Sequence, residues 1–277
     1  MGSVKRVGLL DLLTQRFPED GRKALHARVL CGEISVNGAT ERDPKRRVPR
    51  DADVEWKGSG YVGRGAHKLA AAIEAFEPQC AGAVVLDAGS STGGFTETLL
   101  ERGARLVYAV DVGTNQLAWK LRSDARVRAM EGTNVFDLSQ DELDPVPDFA
   151  VCDLSFRSLS GIAFHIASLT RLGRVIALAK PQFERAGLAG MTSHVHAGER
   201  LPGTADGPIG ADMDHEPAKE FSGVVADSEG KALVELLVAK LNDEALVCRG
   251  VCQSPVRGRR GNREYFLDLE ADSPPAM

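Results

Sequence analysis

The chain has 277 residues, enough for one large domain or for a small domain joined to a larger one. A hydrophobic fraction of 43% supplies a real core. No apolar run approaches the ~18 residues of a membrane span, and nothing after Met1–Arg6 resembles a signal segment, so a cytoplasmic protein without a membrane span is expected. The net charge of −5 hides an asymmetry, +5 over residues 1–70 and −10 over the remainder, which points to two domains with the likelier nucleic-acid surface at the N-terminus.

In chain order, "VGLLDLLTQRF" has helical spacing, with Leu9, Leu10, Leu12, Leu13 and Phe17 on one side. Pro18–Gly21 breaks it, with Asp20 as a cap for the next helix. "RKALHARVLCG" predicts that second amphipathic helix with Ala24, Leu25, Val29 and Leu30 inward, ended by Gly32. "EISVNGATE" predicts a short hairpin turning at Asn37–Gly38. "KRRVPRDADVEW" adds one more strand ending at Trp56. Arg22, Lys23, Arg28, Lys45, Arg46, Arg47 and Arg50 form a basic rim on this module, taken as residues 1–58, with 59–66 as linker.

Residues 67–272 alternate strand and helix. Strand-like runs are "AVVLDAG", "RLVYAVDV", "RVRAME", "FAVCDLSF", "RVIALAK", "ALVCRGV" and "EYFLDLE". Helical runs are "HKLAAAIEAF", "GFTETLLERG", "QLAWKLRS", "LSGIAFHIASLT" and "KALVELLVAKLN". The pattern predicts a doubly wound, Rossmann-like α/β fold, whose ligands sit beyond the C-terminal ends of the strands. The first five strands end at Asp87, Asp111, Glu131, Asp153 and Lys180, polar groups that packing does not explain. The scattered cysteines (Cys31, Cys80, Cys152, Cys248, Cys252) suit a reduced compartment. Cys248 and Cys252 are expected on one strand face, and with no second ligand pair nearby no metal is assigned to them.

"VVLDAGSSTGGFT" reads as strand, tight glycine turn and helix start, a place where bare backbone N–H groups approach a ligand. Asp111 follows at the distance where an acid reaches a ribose diol, which fits a dinucleotide or S-adenosylmethionine. The turn is not G-x-G-x-x-G, and Asp87 beside it repels pyrophosphate but suits the ammonium of a methionine moiety. S-adenosylmethionine is therefore favoured. The competing reading is a glycine turn needed only for close helix packing.

The N-terminal module, through "ARVLCGEISVNG" and its two helices, resembles the S-four RNA-binding domain. It departs where members carry Arg-Leu-Asp (here Leu9-Leu10-Asp11) and Ser-Arg (here Gly21-Arg22). The ordered set "GRGAHKL", "LDAGSSTGGFT", "VYAVDVGTNQLAWKLRSDARV", "DLSFRSL", "LAKPQFE" and "GNREYFL" closely resembles the TlyA-type hemolysin family, an S-four domain joined to an FtsJ-like methyltransferase. The resemblance implies S-adenosylmethionine as cofactor, ribose 2′-O-methylation as activity, and ribosomal RNA or a ribosomal subunit as partner.

A ribose 2′-hydroxyl is a weak nucleophile, while the sulfonium is already a good leaving group. The protein must therefore orient the hydroxyl and manage its proton. The family's Lys-Asp-Lys-Glu set maps onto Lys68, Asp153, Lys180 and Glu264. Lys180 is expected as base or hydroxyl-steering group, Asp153 to orient it, and Lys68 and Glu264 to tune charge and hold the ribose. For the cofactor, the resemblance implies Asp87, Gly89, Ser90, Ser91, Thr92, Gly93, Gly94, Phe95 and Thr96 around the methionine end. Asp111 and Val112 would lie at the ribose, Glu131 and Asn134 at the adenine, and Asp153 near the methyl group, with Phe156 near the substrate or in the core. No metal is expected. A long loop, 185–222, follows Lys180; it is rich in Gly, Pro, His and Asp and holds His194, His196 and His215 without fixed ligand spacing. That acidic loop keeps open a family member diverted to a small-molecule substrate in secondary metabolism. A non-catalytic RNA-binding or hemolysin-like protein is a further alternative.

Overall fold

The computed structural model describes residues 6–18, 21–30, 32–56, 65–155, 157–188, 223–258 and 260–272. Asp20, Cys31, Phe156, the three loop histidines, most of the 59–66 linker and all but the start of the 185–222 loop lie outside the described residues.

The N-terminal module runs β1 (Arg6–Gly8), α1 (Leu9–Arg16), α2 (Arg22–Leu30), β2 (Ile34–Val36), β3 (Ala39–Glu41), β4 (Arg47–Pro49) and β5 (Val54–Trp56). Leu9, Leu12, Leu13, Leu25, Val29, Ile34, Val36 and Val48 close a small core of their own. Asn37 and Gly38 both take positive φ, 50° and 78°, the backbone of a type I′ hairpin whose twist matches its strands. The stretch expected to form one strand forms two. Val48 is buried in β4, which pairs antiparallel with β1, while β5 pairs with β2. A single run of sequence thus serves two sheets, which strand periodicity alone does not reveal.

The larger unit holds α3 (Gly65–Phe76), β6 (Val84–Ala88), α4 (Gly94–Glu101), β7 (Leu106–Asp111), α5 (Trp119–Arg122), β8 (Val127–Glu131) and β9 (Phe149–Cys152). It continues with α6 (Ala163–Ser168), β10 (Arg174–Ala179), α7 (Pro181–Gly187), α8 (Asp227–Asp243), β11 (Leu246–Gln253) and β12 (Tyr265–Ala271). The seven strands lie in the order β11-β12-β10-β9-β6-β7-β8. Only β12 runs against its neighbours. Apolar side chains of α3, α4 and α5 cover one face of the sheet, and those of α6 and α8 cover the other. Both faces are buried, which is why β6, β9 and β10 read as continuous apolar runs.

Three details depart from the sequence reading. Gly65 and Ala66 open α3 instead of lying in a linker. Arg185 is not loop: it lies in α7 and ion-pairs with Glu229 of α8. Cys248 and Cys252 do not share a face. A register shift between Cys248 and Gly250 turns Cys248 toward the α8 side and Cys252 toward α3, because a bulge adds one residue and inverts the alternation beyond it.

Candidate active site

The strand order reverses between β6 and β9, and the crevice above that point is the expected ligand site of an open α/β sheet. Every polar strand end singled out in the sequence lies along this edge. Asp111 and Glu131 are the last residues of β7 and β8, Asp87 is the second-last of β6, and Asp153 and Lys180 follow β9 and β10 directly.

The four family-implied catalytic residues form two ion pairs. Lys180 Nζ lies 2.6 Å from Asp153 Oδ1 and donates to the Leu154 carbonyl at 2.9 Å and to Ser155 Oγ at 3.0 Å. Lys68 Nζ, in the first turn of α3, lies 2.5 Å from Glu264 Oε2. The pairs are neighbours by register: Ala179 of β10 opposes Tyr265 of β12, so the next rung sets Lys180 opposite Glu264. The β11–β12 loop closes over this carboxylate so tightly that a Cβ at Gly258 would stand 2.5 Å from Glu264 Oε1. Lys180 and Glu264 are nearly buried, 7% and 3% exposed, unlike the solvated surface charges that Lys and Glu usually are.

The glycine turn is built by protein contacts. A Cβ at Gly89 would meet the Asp153 carbonyl at 2.6 Å, so the loops after β6 and β9 touch there. Gly93 has φ 97°, and a Cβ on it would meet Leu121 at 2.2 Å. A Cβ at Gly94 would meet the Ala66 nitrogen at 3.0 Å. The Phe95 ring packs in the core, 5.9 Å from that of Phe266, so a place at the cofactor would fall to its backbone N–H and not to its side chain. Close packing thus accounts for the glycines, but not for the polar groups among them.

Asp87 is fully buried. Thr96 Oγ1 donates to its Oδ2 at 2.6 Å, and its Oδ1 has no hydrogen-bond partner. Burial, with the nearby negative charges of Asp153 and Asp111, pushes its carboxyl up to about 7 despite the Thr96 hydrogen bonds. Ser90 Oγ is likewise buried without a partner. Three carboxylates around one crevice repel a pyrophosphate and suit a ligand carrying an ammonium and a sulfonium. Asp111 braces the turn: Ser91 N–H donates to Oδ2 at 2.8 Å and Gly113 N–H to Oδ1 at 2.7 Å, which leaves each oxygen a lone pair. Val112 beside it is 71% exposed, an apolar side chain open at the rim.

Glu131 is engaged by protein donors: the N–H groups of Asn115, Gln116 and Leu117, and Arg122. Burial pushes its carboxyl up, but these backbone bonds and Arg122 outweigh that and hold it below the usual range. Asn134 Oδ1 accepts weakly from Phe136 N–H at 3.3 Å and caps a short 3-10 turn. Sequence reasoning passed over Ser155 and Glu184, although both lie inside the quoted motifs "DLSF" and "KPQFE". Among the described residues, no three His, Cys, Asp or Glu side chains gather as a metal site, and no helix is long and apolar enough to cross a membrane.

Numbered within the sheet, the order is 3-2-1-4-5-7-6 with strand 7 reversed, a variation on the dinucleotide-binding order 3-2-1-4-5-6. With an acid-lined switch point, it defines a Rossmann-like, S-adenosylmethionine-dependent methyltransferase. The orphaned Asp87 oxygen and Ser90 hydroxyl fit that cofactor's charged methionine end. Residues 61–206 match the model of the FtsJ-like methyltransferase family. The chain is 40% identical over 257 residues to the 16S/23S rRNA (cytidine-2′-O)-methyltransferase TlyA of Mycobacterium tuberculosis, covering 89% of this chain and 83% of that one. It is 34% identical over 270 residues to a provisionally named rRNA methyltransferase, YqxC, of Bacillus subtilis, covering 96% and 86%. The solved structure of a provisionally named hemolysin from Streptococcus thermophilus is similar at TM-score 0.61 and 31% identity, over 99% of this chain and 91% of that one. The chain belongs to the TlyA-type, FtsJ-like methyltransferase family. It is an enzyme, and the non-catalytic reading falls away.

Proposed function

We propose that this enzyme methylates a ribose 2′-hydroxyl of ribosomal RNA. The observation that carries this reading is the paired set Lys180–Asp153 and Lys68–Glu264 at the switch point. The activity for which the M. tuberculosis relative is named supports it. S-adenosylmethionine, when bound, supplies the methyl group as a sulfonium. Asp87 and Ser90 would hold its methionine end, Asp111 its ribose, and Val112 an apolar face of its adenine. Glu131 would act at one remove, by fixing the 115–117 loop beside the place the adenine would take.

Lys180 is held by the Asp153 carboxylate, the Leu154 carbonyl and Ser155 Oγ, so its nitrogen is fixed in place before any substrate arrives. With the ribose bound, one of these N–H contacts would pass to the hydroxyl oxygen and orient it toward the methyl group, and the proton released as the O–C bond forms would go to the Asp153 carboxylate beside it. The Lys68–Glu264 pair takes the neighbouring ribose oxygen. Basic residues Lys45, Arg47 and Arg50 stand exposed on the N-terminal module, in keeping with an RNA partner.

Lys180→Ala is expected to lower methyl transfer roughly 100-fold or more, the scale of a positioned acid–base group, with cofactor affinity retained. Transfer of tritiated methyl to ribosomal subunits from cells lacking the gene measures it. Near-normal rates for both Lys180→Ala and Glu264→Ala would remove the paired set from the chemistry.

A further inference from the structure

After β9, residues 153–155 and 157–161 follow, with Asp153 at their start, and they are held at three successive points by buried or half-buried charged side chains. Lys180 grips its start at Asp153, Leu154 and Ser155. One helical turn along α7, Glu184 grips its middle: Ser158 Oγ donates to Oε2 at 2.5 Å, and Leu159 N–H donates to Oε1 at 3.1 Å and Oε2 at 3.3 Å. Glu244, the C-cap of α8, takes the end, accepting from Ser160 Oγ and from Gly161 N–H at 2.8 Å. Glu184 is only 1% exposed, and burial pushes its carboxyl up to about 7 against the pull of Ser158 and Leu159. A carboxylate so costly to bury is not what packing selects at that position, since an apolar side chain would fill the space without desolvating a charge.

Lys180 stands immediately before α7 and Glu184 lies one turn into it, and both side chains reach the same loop. α7 is itself tied to α8 through Arg185–Glu229. The loop is therefore not free to carry Asp153 away from Lys180 without breaking the Glu184 bonds as well.

We propose that Glu184 is a positioning residue for methyl transfer: by clamping Ser158 and Leu159 it fixes the loop that holds Asp153 and Ser155 against Lys180. The proposal rests on the reading of Lys180 and Asp153 as the catalytic pair. It assigns Glu184 no contact with substrate or cofactor.

The test uses the full chain, tritiated S-adenosylmethionine and ribosomal subunits from cells lacking the gene, in single turnover at saturating cofactor. Glu184→Gln, Glu184→Leu, Ser158→Ala and the Ser158→Ala/Glu184→Gln double variant are compared, with Lys180→Ala as reference. Gln keeps one acceptor oxygen and Leu keeps none, so the rate is expected to fall in the order wild type, Gln, Leu. The Leu and Ser158→Ala variants should lose about 10-fold or more, as ångström-scale misplacement of a reacting group does. The double variant should be no slower than the slower single, because both remove one clamp. Cofactor affinity by calorimetry should stay within about twofold, a separation that general loss of structure would not give. Wild-type rates in Ser158→Ala and Glu184→Gln, with Lys180→Ala inactive, overturn the clamp alone. An active Lys180→Ala overturns the catalytic reading and the clamp with it. Ser158→Ala deletes one hydroxyl at a half-buried site, so the test survives if Glu184→Leu does not fold.

Discussion

Asp87, proposed here to hold the cofactor's methionine end, is a side chain held at a cost to the fold. Its carboxyl is raised from an ordinary value near 3.8 to about 7, burial being the main cause. A raised folded-state value means that the neutral form is favoured in the folded protein. The stability this gives is complete in acid below the unfolded value and is lost as pH rises through about 7. A cofactor ammonium held there, as proposed, would have the opposite preference and favour the carboxylate. Cofactor affinity should therefore strengthen as pH rises through 7, being about tenfold weaker a unit below that value. Calorimetry at pH 6 and pH 8 checks this, and equal affinities would contradict it. Asp87→Asn should bind the cofactor weakly at both pH values yet melt several degrees above the wild type at pH 8, since it removes a buried charge while keeping an acceptor for Thr96. Asp87 was legible in the sequence because it sits between an apolar strand and a glycine turn. The direction of its shift was not, because that depends on Asp153 and Asp111 arriving from other strands.

At the scale of elements, the alternation of apolar runs and amphipathic helices in residues 67–272 was enough to place all seven strands of the main sheet and the helices between them except α7, because a sheet buried on both faces leaves no ambiguity of face. Where register decides, the sequence was mute. The bulge that parts Cys248 from Cys252 and the splitting of 47–56 into β4 and β5 follow from partners distant in the chain. Helix α7 was passed over because its first residues were absorbed by a motif and its last by an apparent loop. The glycine turn carries a prediction at this scale. Gly93→Ala adds a Cβ where φ is 97° and Leu121 stands 2.2 Å away. Left-handed strain and overpacking together should destabilise the protein by about 2–5 kcal/mol. Thermal or urea unfolding measures it, and a change below about 0.5 kcal/mol, the range of an ordinary surface substitution, would show that the turn relaxes at no cost. Glu131 should behave in the opposite sense from Asp87. Its lowered value gives stability that is present above the usual carboxylate range and lost as pH falls below its folded value, so acid should loosen the 115–117 loop first.

For the whole molecule, the basic N-terminal module keeps cationic side chains at its surface. Lys45, Arg47 and Arg50 are exposed, and Glu33, next to the basic helix α2, accepts a hydrogen bond from Trp119 N–H of the larger unit at 2.7 Å. Arg46 has a structural task, since it neutralises the buried Glu41. Replacing Lys45 and Arg50 by Ala should weaken binding to ribosomal subunits and flatten its salt dependence by about one to two charges' worth, whereas Arg46→Ala should mainly destabilise the module. An unchanged salt slope in the Lys45/Arg50 variant would take this surface out of RNA contact. The central claim, that the paired lysines and acids serve ribose methylation of ribosomal RNA, is tested most directly in cells. Ribosomal RNA from a strain lacking the gene, and from that strain carrying either the wild-type or the Lys180→Ala gene, is digested to nucleosides and analysed by mass spectrometry. A 2′-O-methylated nucleoside that appears with the wild type and is absent with Lys180→Ala is the predicted result. Identical nucleoside profiles in all three strains, or full restoration by Lys180→Ala, would contradict it.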